Sequence, residues 1–390
     1  MSRLSRTDKS LLAQWWWTVD KGMIAAFCIL AVLGVLLVAT ASPPVAERIG
    51  LGSFHFLKRH VVILLPSLAL LVGLSFLSQK NIRRLATVVF IGSLIAMVLA
   101  LLTGMEIKGA QRWIHVFGFS LQPSEFVKPA FAILSAWMMS MQKEKQGFPG
   151  NAVTAGLYVL TVTLLLMQPD LGMTVIVTSI WAAQIFLAGF PFRLLFVLMV
   201  LGAVGMGAAY FGFDHVQSRI DRYLYPEKGD TFQVDLSMQS FQNGGVLGTG
   251  PGQGVIKMDL PDAHADFIFS VAAEEMGLIA VFVLLGLYGF ILLRGYNRLM
   301  HSNDMFTVLA VGGLLTMFGL QALIHIGSSL HLLPTKGMTL PFISYGGSSL
   351  LSMGFSMGVV LALTRYRKRS GISKGGLSLT SKRSTAEVAI

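Results

Sequence analysis

Pro261-Asp-Ala-His-Ala-Asp-Phe-Ile-Phe-Ser-Val-Ala-Ala-Glu-Glu-Met-Gly277 decides how this chain is read. It puts four carboxylates and one histidine at the mouth of an apolar segment that runs on to Leu293. Carboxylates at or just inside a bilayer surface are costly, so such a cluster is a candidate for chemistry once the membrane has been located.

The rest of the sequence locates it. Of 390 residues, 54% are hydrophobic and only 13% are charged, with a mean hydropathy of +0.68. A soluble domain is about a quarter charged, so this composition excludes one. A helix crosses the hydrocarbon with roughly 20 mostly apolar residues. Runs of that kind lie near 22–40, 59–77, 84–103, 125–141, 150–167, 171–188, 191–213, 266–293, 305–327 and 340–363. The fold class is therefore an all-α polytopic membrane protein of ten transmembrane helices. A large extracytoplasmic loop, 214–265, joins the seventh to the eighth. Residues 1–21 form an N-terminal segment, 22–364 the membrane domain, and 365–390 a basic, Ser/Gly-rich tail that reads as disordered.

Lys and Arg stay preferentially on the cytoplasmic side, and with the N-terminus inside, the inner segments hold 19 of the 30. The acids run the other way: Glu47, Glu106, Glu125, Asp170 and those from Asp214 to Asp266 fall outside. Both termini are thus expected in the cytoplasm, and the 261–277 stretch faces out. Trp15-Trp16-Trp17 precedes the first span and suits an anchor in the inner headgroup layer. No small-residue cleavage site follows the first run, which reads as a retained span. The net charge of +11 comes from basic residues beside spans, which fits the topology rule and anionic membrane lipid rather than nucleic acid. Cys28 is the only cysteine, so no disulfide forms within one chain.

Three outer segments are unusual. In the first, Lys108-Gly-Ala-Gln-Arg-Trp113 precedes Gln122-Pro-Ser-Glu-Phe-Val-Lys128. Ser124 suits a helix cap, and Glu125 and Lys128, three apart, share a helix face and can pair. Alternatively, Arg112 and Lys128 present positive charge to an anionic group. The second, Asp214 to Leu260, is the longest span-free stretch, and its glycine-rich end from Gln242 to Gly254 suits either a flexible surface loop or a backbone folded closely over something; no Walker lysine follows it. The third, Leu333-Pro-Thr-Lys-Gly337 through Ser349, carries two prolines, three glycines and several hydroxyls between apolar runs. Irregular backbone at membrane depth survives only where protein or a watery cavity satisfies it.

Gly109-Ala-Gln-Arg-Trp113, Gln122-Pro-Ser-Glu125 with Lys128, Gln168-Pro-Asp-Leu-Gly172, Pro261–Gly277 and Leu333–Ser349 together resemble the SEDS family (shape, elongation, division and sporulation). They spread over most of the membrane-embedded chain. The Pro261-Asp-Ala-His wording, the Phe241–Gly254 loop and the Trp15–Asp20 lead-in resemble its FtsW branch, of the alphaproteobacterial kind, with the RodA branch as runner-up. The resemblance implies a septal peptidoglycan glycosyltransferase of the inner membrane that polymerises lipid II. It also implies a class B penicillin-binding protein and other division proteins as partners. Three positions depart from the family's wording: Ala265 where Thr is usual, His325 where Asn is common, and Tyr225 where the loop usually has Asp.

That chemistry needs a base for the acceptor hydroxyl and cations for the departing diphosphate. The resemblance gives the base role to Asp266. With a helix beginning near Asp262, Asp262 would be its cap and Asp266 would lie one turn in, above a stripe of Ser270, Ala273 and Gly277 suited to close packing or a lipid chain. Arg112, Lys128 and Lys336 are the expected clamp, with Glu125, His264 and Ser344 as further substrate-binding candidates. Glu274 and Glu275 lie deeper and call for a buried cation. A divalent cation, Mg or Mn, at Asp266 is a further expectation, although no ligand spacing demands one. A flippase for the lipid-linked precursor and a non-catalytic scaffold are the competing functions. Charge concentrated on the outer side, with no deep path from inside, favours the enzyme.

Overall fold

The computed structural model describes residues 10–104, 111–116, 119–145, 147–212, 217, 221, 232–334 and 337–365. The helices are α1 (Leu11–Thr18), α2 (Lys21–Arg48), α3 (His55–Leu74), α4 (Gln79–Thr103), α5 (Pro123–Glu144), α6 (Gly150–Met167), α7 (Leu171–Leu187), α8 (Phe192–Gly212), α9 (Phe232–Gly244), α10 (Ile268–Met300), α11 (Met305–Ser329) and α12 (Gly347–Leu363). Between α4 and α5 a small antiparallel hairpin, β1 (Ile114–Val116) and β2 (Phe119–Leu121), sets Ile114 opposite Leu121.

A helix thus lies over each of the ten apolar runs. Six of them, α2, α3, α4, α6, α10 and α11, are long and apolar enough to cross a membrane, while α7 and α12 are shorter. The protein is a helical membrane protein. The run expected over 340–363 begins its helix only at Gly347, because Pro341 lacks an N–H and the residues around it are drawn into side-chain bonds described below. Helix α5 starts at Pro123, so Ser124 is inside it and Gln122 occupies the cap position. Ser124 is therefore not the cap.

Burial places α5, α11 and α12 at the centre. Small residues let α12 press on α3: a Cβ at Gly354 or Gly358 would strike the main-chain oxygen of Ser67 or Leu71. At the end of the bundle expected to be cytoplasmic, Asp20 caps α2 through the Met23 N–H and pairs with Arg294 at 2.7 Å and Arg298 at 3.0 Å. Burial pushes the Asp20 carboxyl up, but the Arg294 hydrogen bond, the Met23 amide and both guanidinium charges outweigh this and hold it below its ordinary value. Trp15 stacks on Phe76 and donates to Ser75 Oγ, whereas Trp16 and Trp17 stay exposed beneath the Lys21 ammonium.

The expected span over 266–293 is not one continuous helix. Gly277 has φ 72 and ψ −175, so a short half-helix, residues 268–276, joins a longer one through a break. A break leaves carbonyls and N–H groups unpaired, which membrane surroundings cannot satisfy. The glycine-rich segment after α9 splices it. Thr249 and Gly250 donate their N–H groups to the Glu274 and Glu275 carbonyls, each at 2.9 Å, and Leu278 donates to the Gly245 carbonyl at 3.0 Å. Of the two readings of this segment, the closely folded one holds.

Gly277→Ala should lower stability by about 2 kcal/mol or more. It forces a side chain into a conformation reserved for glycine and drives a Cβ into the Gly248 backbone. Thermal unfolding in detergent checks this, and an unchanged midpoint would rule out the splice as described.

Candidate functional site

Residues 261–267 form consecutive turns rather than helix, with the Ala265 and Asp266 N–H groups donating to the Asp262 carbonyl. Helix α10 begins at Ile268, with Phe267 at the cap position and no side-chain cap. Asp262 is therefore not the helix cap, and Asp266 lies before the helix, not one turn inside it. The reason is local: Asp262 sits at φ 51, which a helix does not accommodate.

The turn is held by the irregular strap that precedes α12. Tyr345 donates its N–H to the His264 carbonyl at 3.0 Å, and Ser344 Oγ donates to the Ala265 carbonyl at 2.7 Å while accepting the Leu340 N–H at 2.8 Å. The two peptides before Asp266 are thereby fixed. Asp266 itself is half-buried and faces Gly337, where a Cβ would lie 3.3 Å from Oδ2. His264 is buried and stacks on Phe56 with ring centroids 3.9 Å apart, next to Tyr345. Burial pushes its ring down to about 4, against the opposing charge of Asp262.

The structure brings Asp266, His264 and Ser344 together and puts two of the expected cations, Arg112 and Lys128, to other uses. Arg112 donates Nε to the Gln168 carbonyl at 2.8 Å, contacts the Pro169 carbonyl, and lies 3.8 Å from Asp170. Lys128 is fully buried, 2.8 Å from Glu125 and 3.0 Å from Gln321 Oε1. The paired reading of Glu125 and Lys128 holds over the exposed one. Lys336 lies outside the described residues, as do Lys108, Tyr225 and the C-terminal tail beyond residue 365.

The two glutamates are structural. Glu274 accepts N–H groups from Val255, Ile256 and Lys257 and the amide of Asn243, at 2.8–3.1 Å. Glu275 pairs with the buried ammonium of Lys257, which also donates to the Thr40 carbonyl. That carbonyl is available because Pro44, four residues on in α2, has no N–H to give it. The Ser270, Ala273 and Gly277 stripe packs on protein: Ser270 meets Ser237 of α9 at 2.6 Å, and a Cβ at Gly244 would strike the Ala273 carbonyl. Among the described residues, no three His, Cys, Asp or Glu converge as a cation site.

Some contributors carry no sequence signal. Phe56 reads as an ordinary apolar residue just before the second apolar run, and only its stacking reveals it. Gly337 and Tyr345 lie inside a recognised motif yet gain a role only from the fold.

The arrangement defines a class: a helical membrane protein with a constrained carboxylate at one end of its bundle. The model of the cell cycle proteins FtsW, RodA and SpoVE matches residues 21–369. The chain belongs to this family, the SEDS proteins. A Caulobacter vibrioides relative named "Probable peptidoglycan glycosyltransferase FtsW" is 44% identical over 364 residues, 93% of each chain. A Geobacter metallireducens relative of the same name is 35% identical and covers 87% of this chain and 92% of that one. Among solved structures, a chain from work on the structural coordination of polymerization and crosslinking by a peptidoglycan synthase complex has a TM-score of 0.75 at 30% identity, covering 90% of this chain and all of that one. The rod shape determining protein RodA of Thermus thermophilus has a TM-score of 0.67 at 28% identity, over 90% and 99% of the two chains.

Two outcomes follow. Lys257→Met leaves Glu275 buried without its cation and should cost about 3–5 kcal/mol, most of it recovered by adding Glu275→Leu. Equal loss in the single and double variants would mean that the pair is not coupled. For His264, the unfolded ring takes its proton near 6.5 and the folded ring only near 4, so the unfolded state binds more protons between these values. Stability should be full above pH 6.5 and fall as pH drops toward 4. His264→Phe, which keeps the stacking, should flatten that slope in melts taken across the window, and an unaltered slope would assign it to another group.

Proposed function

We propose that this chain polymerises lipid II into glycan strands at the outer face of the cytoplasmic membrane during septal wall synthesis, with Asp266 as general base. It is a peptidoglycan glycosyltransferase of the inverting kind. Its ten main helices cross the membrane with both termini in the cytoplasm, which sets Asp266 at the outer surface. The observation that carries the reading is the fixed carboxylate, half-buried on a turn whose preceding peptides are both tied to the strap.

In the reaction, the Asp266 carboxylate takes the proton of the acceptor sugar hydroxyl as that oxygen attacks C1 of the donor sugar. The C1–O bond to the lipid diphosphate breaks, its electron pair leaves on the diphosphate, and configuration inverts. A base positioned in this way contributes typically 10²–10⁴-fold. Half-burial lowers the local dielectric around the carboxylate while leaving it within reach of a substrate hydroxyl. Lys336, adjacent in sequence to Gly337, is the cation assigned to the diphosphate. Arg112 and Lys128 reach a substrate only by giving up the partners described above. Mg or Mn, if bound, would have Asp266 as its protein ligand and would help neutralise the departing diphosphate.

A class B penicillin-binding protein that crosslinks the new strand is the proposed partner. The similar chain from a complex coordinating polymerization and crosslinking supports this.

Asp266→Asn in the purified protein given lipid II should cut polymer formation by about 100-fold or more with an unchanged melting profile. Polymerisation at the wild-type rate would overturn the assignment of the base.

A further inference from the structure

We infer that His325 is a positioning residue for this reaction, setting the strap residue Gly337 against the Asp266 carboxylate; this rests on the reading of Asp266 as the base. His325 lies on α11, 1% exposed, with Nδ1 2.7 Å from the Met338 carbonyl oxygen. A carbonyl only accepts, so Nδ1 carries the proton and Nε2 is a bare acceptor. Nε2 is buried and has no partner among the described residues. An apolar side chain would fill the same space without that desolvation cost, so the ring is kept for its Nδ1 bond.

One turn earlier on the same helix face, Gln321 donates Nε2 to the next carbonyl, Thr339, at 3.1 Å. Two consecutive strap carbonyls thus hang from α11. Gly337 immediately precedes them and is the residue that abuts Asp266. The other end of the strap is tied to the Asp266 turn itself through Ser344 and Tyr345. Residues 337–345 therefore span from α11 to the reacting carboxylate, and the His325 bond is the nearer of the two α11 anchors to Gly337. Asparagine carries a side-chain N–H that can donate to the Met338 carbonyl as Nδ1 does, and leucine of similar size carries none.

The test compares full-length wild type, His325→Asn and His325→Leu over a range of lipid II concentrations, with hydrogen exchange of residues 337–345 measured in parallel. His325→Leu should lower kcat by about tenfold or more, with KM within about threefold, because small misplacement at a reacting group is costly. It should also speed exchange in the strap. His325→Asn should restore kcat to within about threefold and slow exchange again. Gly337→Ala, which crowds Asp266 without touching α11, should show the same kcat-only loss and covers the case in which His325→Leu does not fold. Wild-type kcat in His325→Leu or in Gly337→Ala, or equal impairment in the Leu and Asn variants, overturns the inference. Should the wild type make no polymer, the functional reading fails instead, and unchanged strap exchange in His325→Leu then overturns the positioning role.

Discussion

Hydrocarbon offers a peptide group no partner, and the structure turns on how that demand is met where helix α10 breaks. At Gly277 the short half-helix ends and the long one begins, and the glycine-rich segment supplies donors to one end and an acceptor to the other. Glu274 then gathers the N–H groups of residues 255–257, and Lys257 bridges Glu275 to α2. The half-helix that carries the Asp266 turn is thereby fixed to α2 and α9. Without the splice, a shortened helix at this depth would leave several polar groups unsatisfied, each at a cost of several kcal/mol.

The same accounting explains the charges. Lys128, Glu125, Glu275, Lys257 and Asp20 are all buried, and each has an ionic partner within the fold. Such pairs contribute little beyond their own desolvation, but breaking one strands a charge, so they lock geometry more than they add stability. Asp266 differs from these in depth, being half-buried, and it faces a glycine. Among the carboxylates from Asp262 to Glu275, depth separates the two structural glutamates from the two aspartates of the turn.

The helices were legible because apolar runs of membrane length are unambiguous, and α2 to α8 and α11 fall where hydropathy places them. Three features were not. The break at Gly277 is one glycine in an otherwise helical pattern, and only the distant loop folded onto it makes it a break. The start of α10 at Ile268 rather than near Asp262 depends on tertiary bonds to Ser344 and Tyr345, which outweigh local capping preference. The engagement of Arg112 by the Gln168–Asp170 turn joins segments 56 positions apart, which spacing cannot reveal. The pairing of Glu125 with Lys128, by contrast, is a three-residue relation on one helix and could be read directly.

The site thus stands on two departures from helical order at one end of the bundle, and these departures are coupled. The turn at 261–267 lets Asp266 leave the helix axis, and the strap at 337–346 delays the start of α12 so that its backbone can reach across to the turn. A full-length α12 would bury the Ser344 and Tyr345 donors within its own first turns and leave the His264 and Ala265 carbonyls without partners. A helix beginning at Asp262 would in turn commit those carbonyls to its own ladder and leave the strap nothing to bind. Each irregularity therefore satisfies the polar groups exposed by the other, and the carboxylate between them is held in place by both.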